Sequence, residues 1–270
     1  MNYQVDVIIV GDSKVGHEIL DKIASSKPTI KLAFISKAFK STTTHDYLNV
    51  EYFKDEVVFT DYKNRLFGCY LQKGTRVYGT HLIIATGLDY SPLMLANNKP
   101  ALIGVYNNVD DVPKVSKNQP AVVVCNTNSD VKFSLDVAKK YKQVYLCTKA
   151  AAIEGLTEAN AKKLDEAKNI VVLPNTSLLK TISKDGVLLK VELDNYSTLN
   201  CSAIYAKTDA KPVTSFVSDK LIQKTESGHL VATDKAESTL VPKCFAAGNC
   251  ANKYTKTIAQ NLVETVLNDF

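Results

Sequence analysis

The chain has 270 residues, more than one typical domain, and 45% of them are apolar, enough to build ordinary cores. Lys plus Arg number 33 against 28 Asp plus Glu, a net +5 spread along the chain with no basic run, so a nucleic-acid partner is not expected. No apolar stretch approaches the ~18 residues of a membrane span and the N-terminus does not read as a signal peptide, so the expectation is a cytoplasmic protein with no membrane partner.

Val5–Val10 is a short, β-branched, nearly all-apolar run, the pattern of a strand buried on both faces. A turn, Gly11-Asp12-Ser13-Lys14-Val15-Gly16, precedes a helix with Val15, Ile19, Leu20 and Ile23 on one face, stopped at Ser25-Ser26-Lys27-Pro28. Leu32–Ile35 is a second buried strand, which completes a βαβ unit of nucleotide-binding type. Residues 56–86 read as short strands with turns at Tyr62-Lys63-Asn64 and Lys73-Gly74, and the last strand runs into Ala85-Thr86-Gly87.

A second βαβ unit begins at Ala121–Cys125, with a helix carrying Val131, Leu135 and Ala138 and a strand at Val144–Cys147. Another helix over about 157–168 and a strand at Ile170–Leu173 follow. Residues 177–206 read as a hairpin turning at Lys184-Asp185-Gly186 plus one more strand. After Cys244-Phe245-Ala246-Ala247-Gly248, a closing helix carries Ile258, Leu262, Val263, Val266 and Phe270. The fold class is α/β with two Rossmann-like domains, the second inserted in the first: 1–106 with 214–270 around 107–213.

Gly11-x-Ser13-x-x-Gly16 is a weakened Gly-x-Gly-x-x-Gly fingerprint. In the full motif the first Gly makes the turn, the second admits a pyrophosphate and the third lets helix and sheet pack closely. Ser13 replaces the second but keeps a hydroxyl that can donate, and Lys14 adds a cation at a helix N-terminus that already favours anions. On its own the motif fits an ordinary strand–turn–helix as well as a dinucleotide site.

Two further segments distinguish these readings. Ala85-Thr86-Gly87 and Thr239-Leu240-Val241-Pro242-Lys243-Cys244-Phe245-Ala246-Ala247-Gly248-Asn249 resemble, in order and spacing, the Ala-Thr-Gly and Thr-x-x-Pro-x-x-Phe-Ala-Ala-Gly-Asp segments of two-domain flavin disulfide reductases. Thr42-Thr43-Thr44 followed by Val50-Glu51-Tyr52 is similar to a threonine-rich stretch of the thioredoxin reductases within that group. The resemblance covers nearly the whole chain. It implies FAD as cofactor, held by Gly11, Ser13, Lys14, Gly16, Thr86, Gly87, Gly248 and Asn249. It also implies a redox partner protein or small acceptor, and a homodimer.

The chain departs from that pattern at several places. No carboxylate follows the second strand, where Ser36-Lys37-Ala38-Phe39-Lys40 stands, and the family's final acid is Asn249. The second fingerprint is Cys125-Asn126-Thr127-Asn128-Ser129-Asp130, with no glycine and with a carboxylate where a pyrophosphate would sit. Its arginine segment aligns with Cys147-Thr148-Lys149, so tight NADPH binding is not expected. The stretch Val105–Val115, which aligns with the redox Cys-x-x-Cys, contains no sulfur, and none of the six cysteines forms such a pair.

Cys244 and Cys250 flank the Phe-Ala-Ala-Gly-Asn turn, with Cys250 expected near a helix N-terminus where a thiol pKa falls; the alternative for both is plain burial. The four histidines show no metal-ligand spacing, so no metal is assigned. No side chain is given a catalytic role. Two readings stay open: a flavin-dependent oxidoreductase that is not a working NADPH-dependent thioredoxin reductase, or a non-catalytic paralogue that keeps the fold for binding or regulation.

Overall fold

The computed structural model describes residues 1–39, 47–111 and 118–270, so Thr42-Thr43-Thr44 and Val112–Val115 lie outside the described residues. The chain forms two compact units, Met1–Asp89 with Ala210–Phe270, and Tyr90–Asp209. The inserted unit thus starts before position 107 and ends before 213. Its first boundary moves because Val105–Tyr106 is itself a strand of the inserted unit, parallel to Ala203–Ala206, while Leu95 and Ala101 join the core of Leu178 and Leu188. The second moves because Ala210–Pro212 pairs with Leu88–Tyr90, where the chain leaves and re-enters the first unit.

The first unit is built on five parallel strands in the order Cys244–Ala246, His81–Ile84, Val7–Val10, Leu32–Ser36, Val50–Lys54. Alternation along the central strand separates two cores. Val7 and Ile9 face a helical layer with Ile19, Leu20, Ile23, Leu262 and Val266. Ile8 and Val10 face the other way, toward Phe67, Val77 and Leu71. Those three residues belong to a second sheet, ordered Asn2–Gln4, Arg76–Gly79, Leu66–Leu71, Val57–Lys63. Its hairpin turns on Asn64 and Arg65, both with positive φ (52° and 64°), the backbone that a two-residue turn between twisted strands requires.

The helix Lys14–Ser26 buries Gly16, Ile19, Leu20, Ile23 and Ala24, one stripe at helical spacing. Ser13 caps it, accepting from the Gly16 amide at 3.1 Å, a contact worth ~1 kcal/mol. The closing helix Lys256–Asn268 is capped in the same way by Thr255, which accepts from Ile258 N at 3.1 Å.

At the end of the sheet opposite the carboxyl termini of the strands, buried His81 anchors the closing helix. Its Nε2 lies 2.9 Å from Asp269 Oδ2 and its Nδ1 2.9 Å from Thr80 Oγ1, while Lys243 Nζ reaches the same Asp269 oxygen at 3.1 Å. Burial lowers the His81 pKa from its ordinary 6.5, and the contacts from His81 and Lys243 lower that of Asp269 from 3.8. Both folded values lie below the unfolded ones, so both groups stabilise the fold above the unfolded pKa and lose that contribution as pH falls through the folded pKa. The His81 part is therefore lost as pH drops below about 6.5, and the Asp269 part below about 3.8. The urea midpoint of the wild type is expected to fall more steeply between about pH 7 and about pH 5 than that of His81→Asn. Equal slopes would show that His81 has no part in it.

The inserted unit repeats the architecture with five parallel strands ordered Val105–Tyr106, Ala203–Ala206, Ala121–Val124, Val144–Cys147, Ile170–Leu173. Helices Asn128–Ala138 and Glu158–Glu166 and the antiparallel strands Leu178–Lys184, Val187–Leu193 and Thr198–Asn200 complete it. Tyr205, fully buried, shares a 3.0 Å hydroxyl contact with Tyr141. Among the described residues no helix is long and apolar enough to cross a membrane.

Candidate functional site

In open parallel sheets, ligands are received at the carboxyl ends of the strands. Three loops of the first unit leave the carboxyl ends of neighbouring strands: Gly11–Gly16, Ala85–Gly87 and Ala247–Asn249. Two of them are tied to the end of the neighbouring strand, since Ala85 N donates to Val10 O at 2.8 Å and Ala247 N to Ile84 O at 2.9 Å. The structure therefore brings all eight sequence-predicted residues onto the loops and first helical turns at one end of one sheet.

Close packing explains the two surviving glycines. Gly11 has a φ of +118°, and a Cβ there would stand 2.4 Å from the Ala85 carbonyl oxygen. A Cβ on Gly16 would stand 2.3 Å from the Gly11 carbonyl oxygen. Neither neighbour is a flexible side chain, so the loop closes only with glycine at both places. Gly248, in turn, faces Val15 at the start of the helix.

Ser13 does more than replace a glycine. Its oxygen accepts from Gly16 N, which leaves its O–H to donate to a ligand. Lys14 is exposed at the first position of the helix, and the first turn holds no acidic residue. This end of the helix thus presents positive charge and donors, the conditions that favour a phosphate. The Thr86 hydroxyl is directed elsewhere, donating to Val213 O at 2.6 Å, while Gly87 borders open space and Asn249 is exposed.

The corresponding turn of the inserted unit has the opposite character. Asp130 Oδ2 accepts from the Asn126 amide at 3.1 Å, the Thr127 amide at 3.0 Å and the Thr127 hydroxyl at 3.0 Å. Asn128 N donates to Glu154 O at 2.8 Å. A carboxylate of the chain itself thus takes the donors that a pyrophosphate would need.

The cysteines are also accounted for. All six are free and buried. The helix after Cys250 begins only at Lys256, so the thiol does not meet a helix N-terminus as expected from sequence; its Sγ lies 3.3 Å from Ala247 O and 3.5 Å from Ile84 O. Burial pushes its pKa up rather than down, and pushes Cys244 up to about 12. Cys125 is raised to about 11 and Cys147 and Cys201 to about 12, again chiefly by burial. The native protein is therefore expected to react with an aromatic disulfide reagent only on unfolding, when six thiols appear. A thiol titrating rapidly in the native state, and lost in Cys250→Ser, would contradict this.

Sequence reasoning missed one pair. Asp12 Oδ1 contacts His17 Nε2 across the fingerprint, and His17 packs edge-on against Phe34 with ring centroids 5.0 Å apart. The signal was an acid and an imidazole flanking the Ser13–Gly16 cap.

Comparison with known proteins agrees with this geometry. Residues 14–248 match the family described as pyridine nucleotide-disulphide oxidoreductase. A thioredoxin reductase of Chlamydia pneumoniae is 25% identical over 150 residues, covering 54% of this chain and 47% of that protein, so the match spans about half the relative's length. Among solved structures, a thioredoxin reductase from Streptococcus pyogenes superposes with a TM-score of 0.70 at 16% identity, covering 100% of both chains. One from Giardia duodenalis gives 0.66 at 18% identity over 98% of this chain and 97% of that one. The fold is that of a thioredoxin-reductase-like, two-domain Rossmann protein, and the chain belongs to the pyridine nucleotide-disulphide oxidoreductase family.

Proposed function

We propose that the first unit binds FAD and that the protein is a flavin-dependent oxidoreductase exchanging electrons with a redox partner protein or small acceptor. The observation behind this reading is the contrast between the two fingerprints. The Gly11–Gly16 turn keeps both packing glycines, has a serine hydroxyl to donate and holds no acid in its first helical turn. Asp130 fills the other turn.

Gly11, Ser13, Lys14 and Gly16 would hold the pyrophosphate, with Thr86, Gly87, Gly248 and Asn249 lining the approach of the flavin half. Thr86 contributes backbone and an oxygen lone pair, because its proton is committed to Val213. Asn249, uncharged, adds no repulsion toward the cofactor's phosphates. Bound FAD would supply the electron-transfer chemistry that no side chain here offers.

The chain's own contribution is to bind and orient that group and to keep thiols out of its chemistry. The 270 residues contain no Cys-x-x-Cys, and the two cysteines nearest the Phe-Ala-Ala-Gly-Asn turn are buried with raised pKa values. Transfer to a protein disulfide needs an attacking thiolate and a resolving thiol. Electrons are therefore exchanged with the flavin directly.

Replacing Cys244 and Cys250 together by Ser is expected to leave photochemically reduced flavin as competent toward a small quinone acceptor as in the wild type. Loss of transfer in that variant, with flavin still bound, would place a thiol in the path and overturn this reading.

A further inference from the structure

We propose that the inserted unit carries a binding site for a small aromatic carboxylate, in the cleft that Asn126 and Lys149 border at the carboxyl ends of two of its parallel strands. The site is separate from the loops of the first unit and does not rest on the flavin reading.

The cleft encloses about 420 Å³, inside the range of about 300–1,000 Å³ typical of ligand pockets. It lies where Ala121–Val124 and Val144–Cys147 end, the end at which parallel sheets receive ligands. Alternation along the strand decides which face it occupies. Val123 and Cys125 face the helical layer with Val131 and Val137, the layer whose helix starts at the turn filled by Asp130. Val122, Val124 and Cys147 face the other way, toward Leu95, Leu178 and Leu188. The cleft belongs to this second face, so a ligand there need not displace Asp130.

Its walls are apolar and held in place. Leu93, Leu95 and Leu178 line it beside Val124 and Cys147. The segment carrying Leu93 and Leu95 folds back on itself, with Leu95 N donating to Lys99 O at 2.9 Å. It is tied to the facing strand by Ala96 N, which donates to Leu178 O at 2.8 Å. The Cys147 thiol, pushed up to about 12 by burial, adds no charge at neutral pH. Such walls favour a hydrocarbon body over a sugar, and a rigid ring loses the least freedom on entering.

The rim supplies donors and one cation. Asn126 is fixed at three atoms: its amide donates to Asp130 Oδ2 at 3.1 Å, its carbonyl accepts from Glu154 N at 2.8 Å, and its Oδ1 accepts from the Lys149 amide at 3.0 Å. The Asn126 Nδ2, the Lys149 ammonium and the Ser177 hydroxyl have no partner among the described residues. No acid lines the cleft, and Lys149 is its one charged lining residue. The acids behind the rim are engaged by main-chain amides, Asp194 by Ser177 N at 3.1 Å and Asp130 by Asn126 and Thr127. One cation beside one free amide matches a singly charged group with two oxygens, a carboxylate; a phosphate dianion would keep a charge uncompensated.

The test uses the full chain with FAD in excess, which competes with any probe for the loops of the first unit. Naphthoate and its uncharged analogue naphthamide are titrated by calorimetry. One naphthoate per chain is expected, bound about tenfold more tightly than naphthamide, because charge-assisted hydrogen bonds are the stronger ones. Lys149→Met keeps the stem and removes the ammonium, and is expected to weaken naphthoate about tenfold while leaving naphthamide unchanged.

Asn126→Asp is isosteric and can still accept from Lys149 N, so the fold is expected to persist by circular dichroism while naphthoate binding drops at least as far. Absence of naphthoate binding up to its solubility limit, or wild-type affinity in both variants, would overturn the proposal. So would displacement of naphthoate by lower concentrations of NADPH or ADP, which would make the cleft a nucleotide site. None of these outcomes bears on whether the first unit holds FAD.

Discussion

Gly16→Val is expected to yield a folded protein that retains no flavin. The ideal Cβ at this position already lies 2.3 Å from the Gly11 carbonyl oxygen, and valine adds two methyl groups to it. The helix must move off the Val7–Val10 strand or the turn must open, and either change displaces the Ser13 cap that organises the donors. Overpacking of this kind costs about 1–3 kcal/mol of stability. The two cores of the first unit can absorb such a loss, whereas a pyrophosphate cradle tolerates little displacement. The check is the ratio of flavin to protein absorbance after gel filtration, with far-UV circular dichroism to show that the fold survives. Wild-type flavin content in Gly16→Val would mean that the cofactor is held elsewhere.

The second large effect is a null result with a structural cause. NADPH and NADH, mixed anaerobically with the flavin-loaded protein, are expected to leave it oxidised over minutes. Three donors of the inserted unit's turn are occupied by Asp130 at 3.0–3.1 Å. A pyrophosphate would have to displace that carboxylate and then sit beside it. Asp130→Ala removes the charge but not the side chains of Cys125 and Thr127, which stand where the full motif has its two glycines. The variant should therefore gain no more than weak binding of a simple anion. Rapid bleaching of the flavin band by either nucleotide in the wild type would contradict this account of the inserted unit.

Most of the architecture was legible from the sequence, because the inner strands of both parallel sheets are buried on both faces and read as short apolar runs. Val7–Val10, Leu32–Ser36, Ala121–Val124 and Val144–Cys147 fall where periodicity placed them. The domain boundaries were less legible. Val105–Tyr106 is two residues long and acquires its identity only by pairing with Ala203–Ala206, about a hundred residues later. Sequence spacing holds no record of such a pairing.

Within the candidate site, Gly11 and Gly16 were legible because a tight strand–turn–helix needs glycine where an added Cβ would meet backbone. The Asp12–His17 contact was not, because it depends on how the loop folds back onto the helix and on Phe34 beneath the imidazole. Cys250 shows the same limit. Its place in the chain suggested a helix terminus, but five residues lie between it and Lys256, and the thiol turns inward onto the Ile84 and Ala247 carbonyls. Asp130 was legible as a carboxylate at a helix start; its capture of the Asn126 and Thr127 amides became visible only in three dimensions.

The absorbance spectrum of the purified chain, followed by release and identification of its chromophore, tests the central claim most directly. A yellow protein that releases FAD in about equimolar amount is the predicted result, since in the proposed function the Gly11–Gly16 turn would hold the pyrophosphate that FAD contains and FMN lacks. A colourless protein that takes up no flavin from excess FAD, or one that releases FMN, would contradict the account and leave the fold as a scaffold for binding alone.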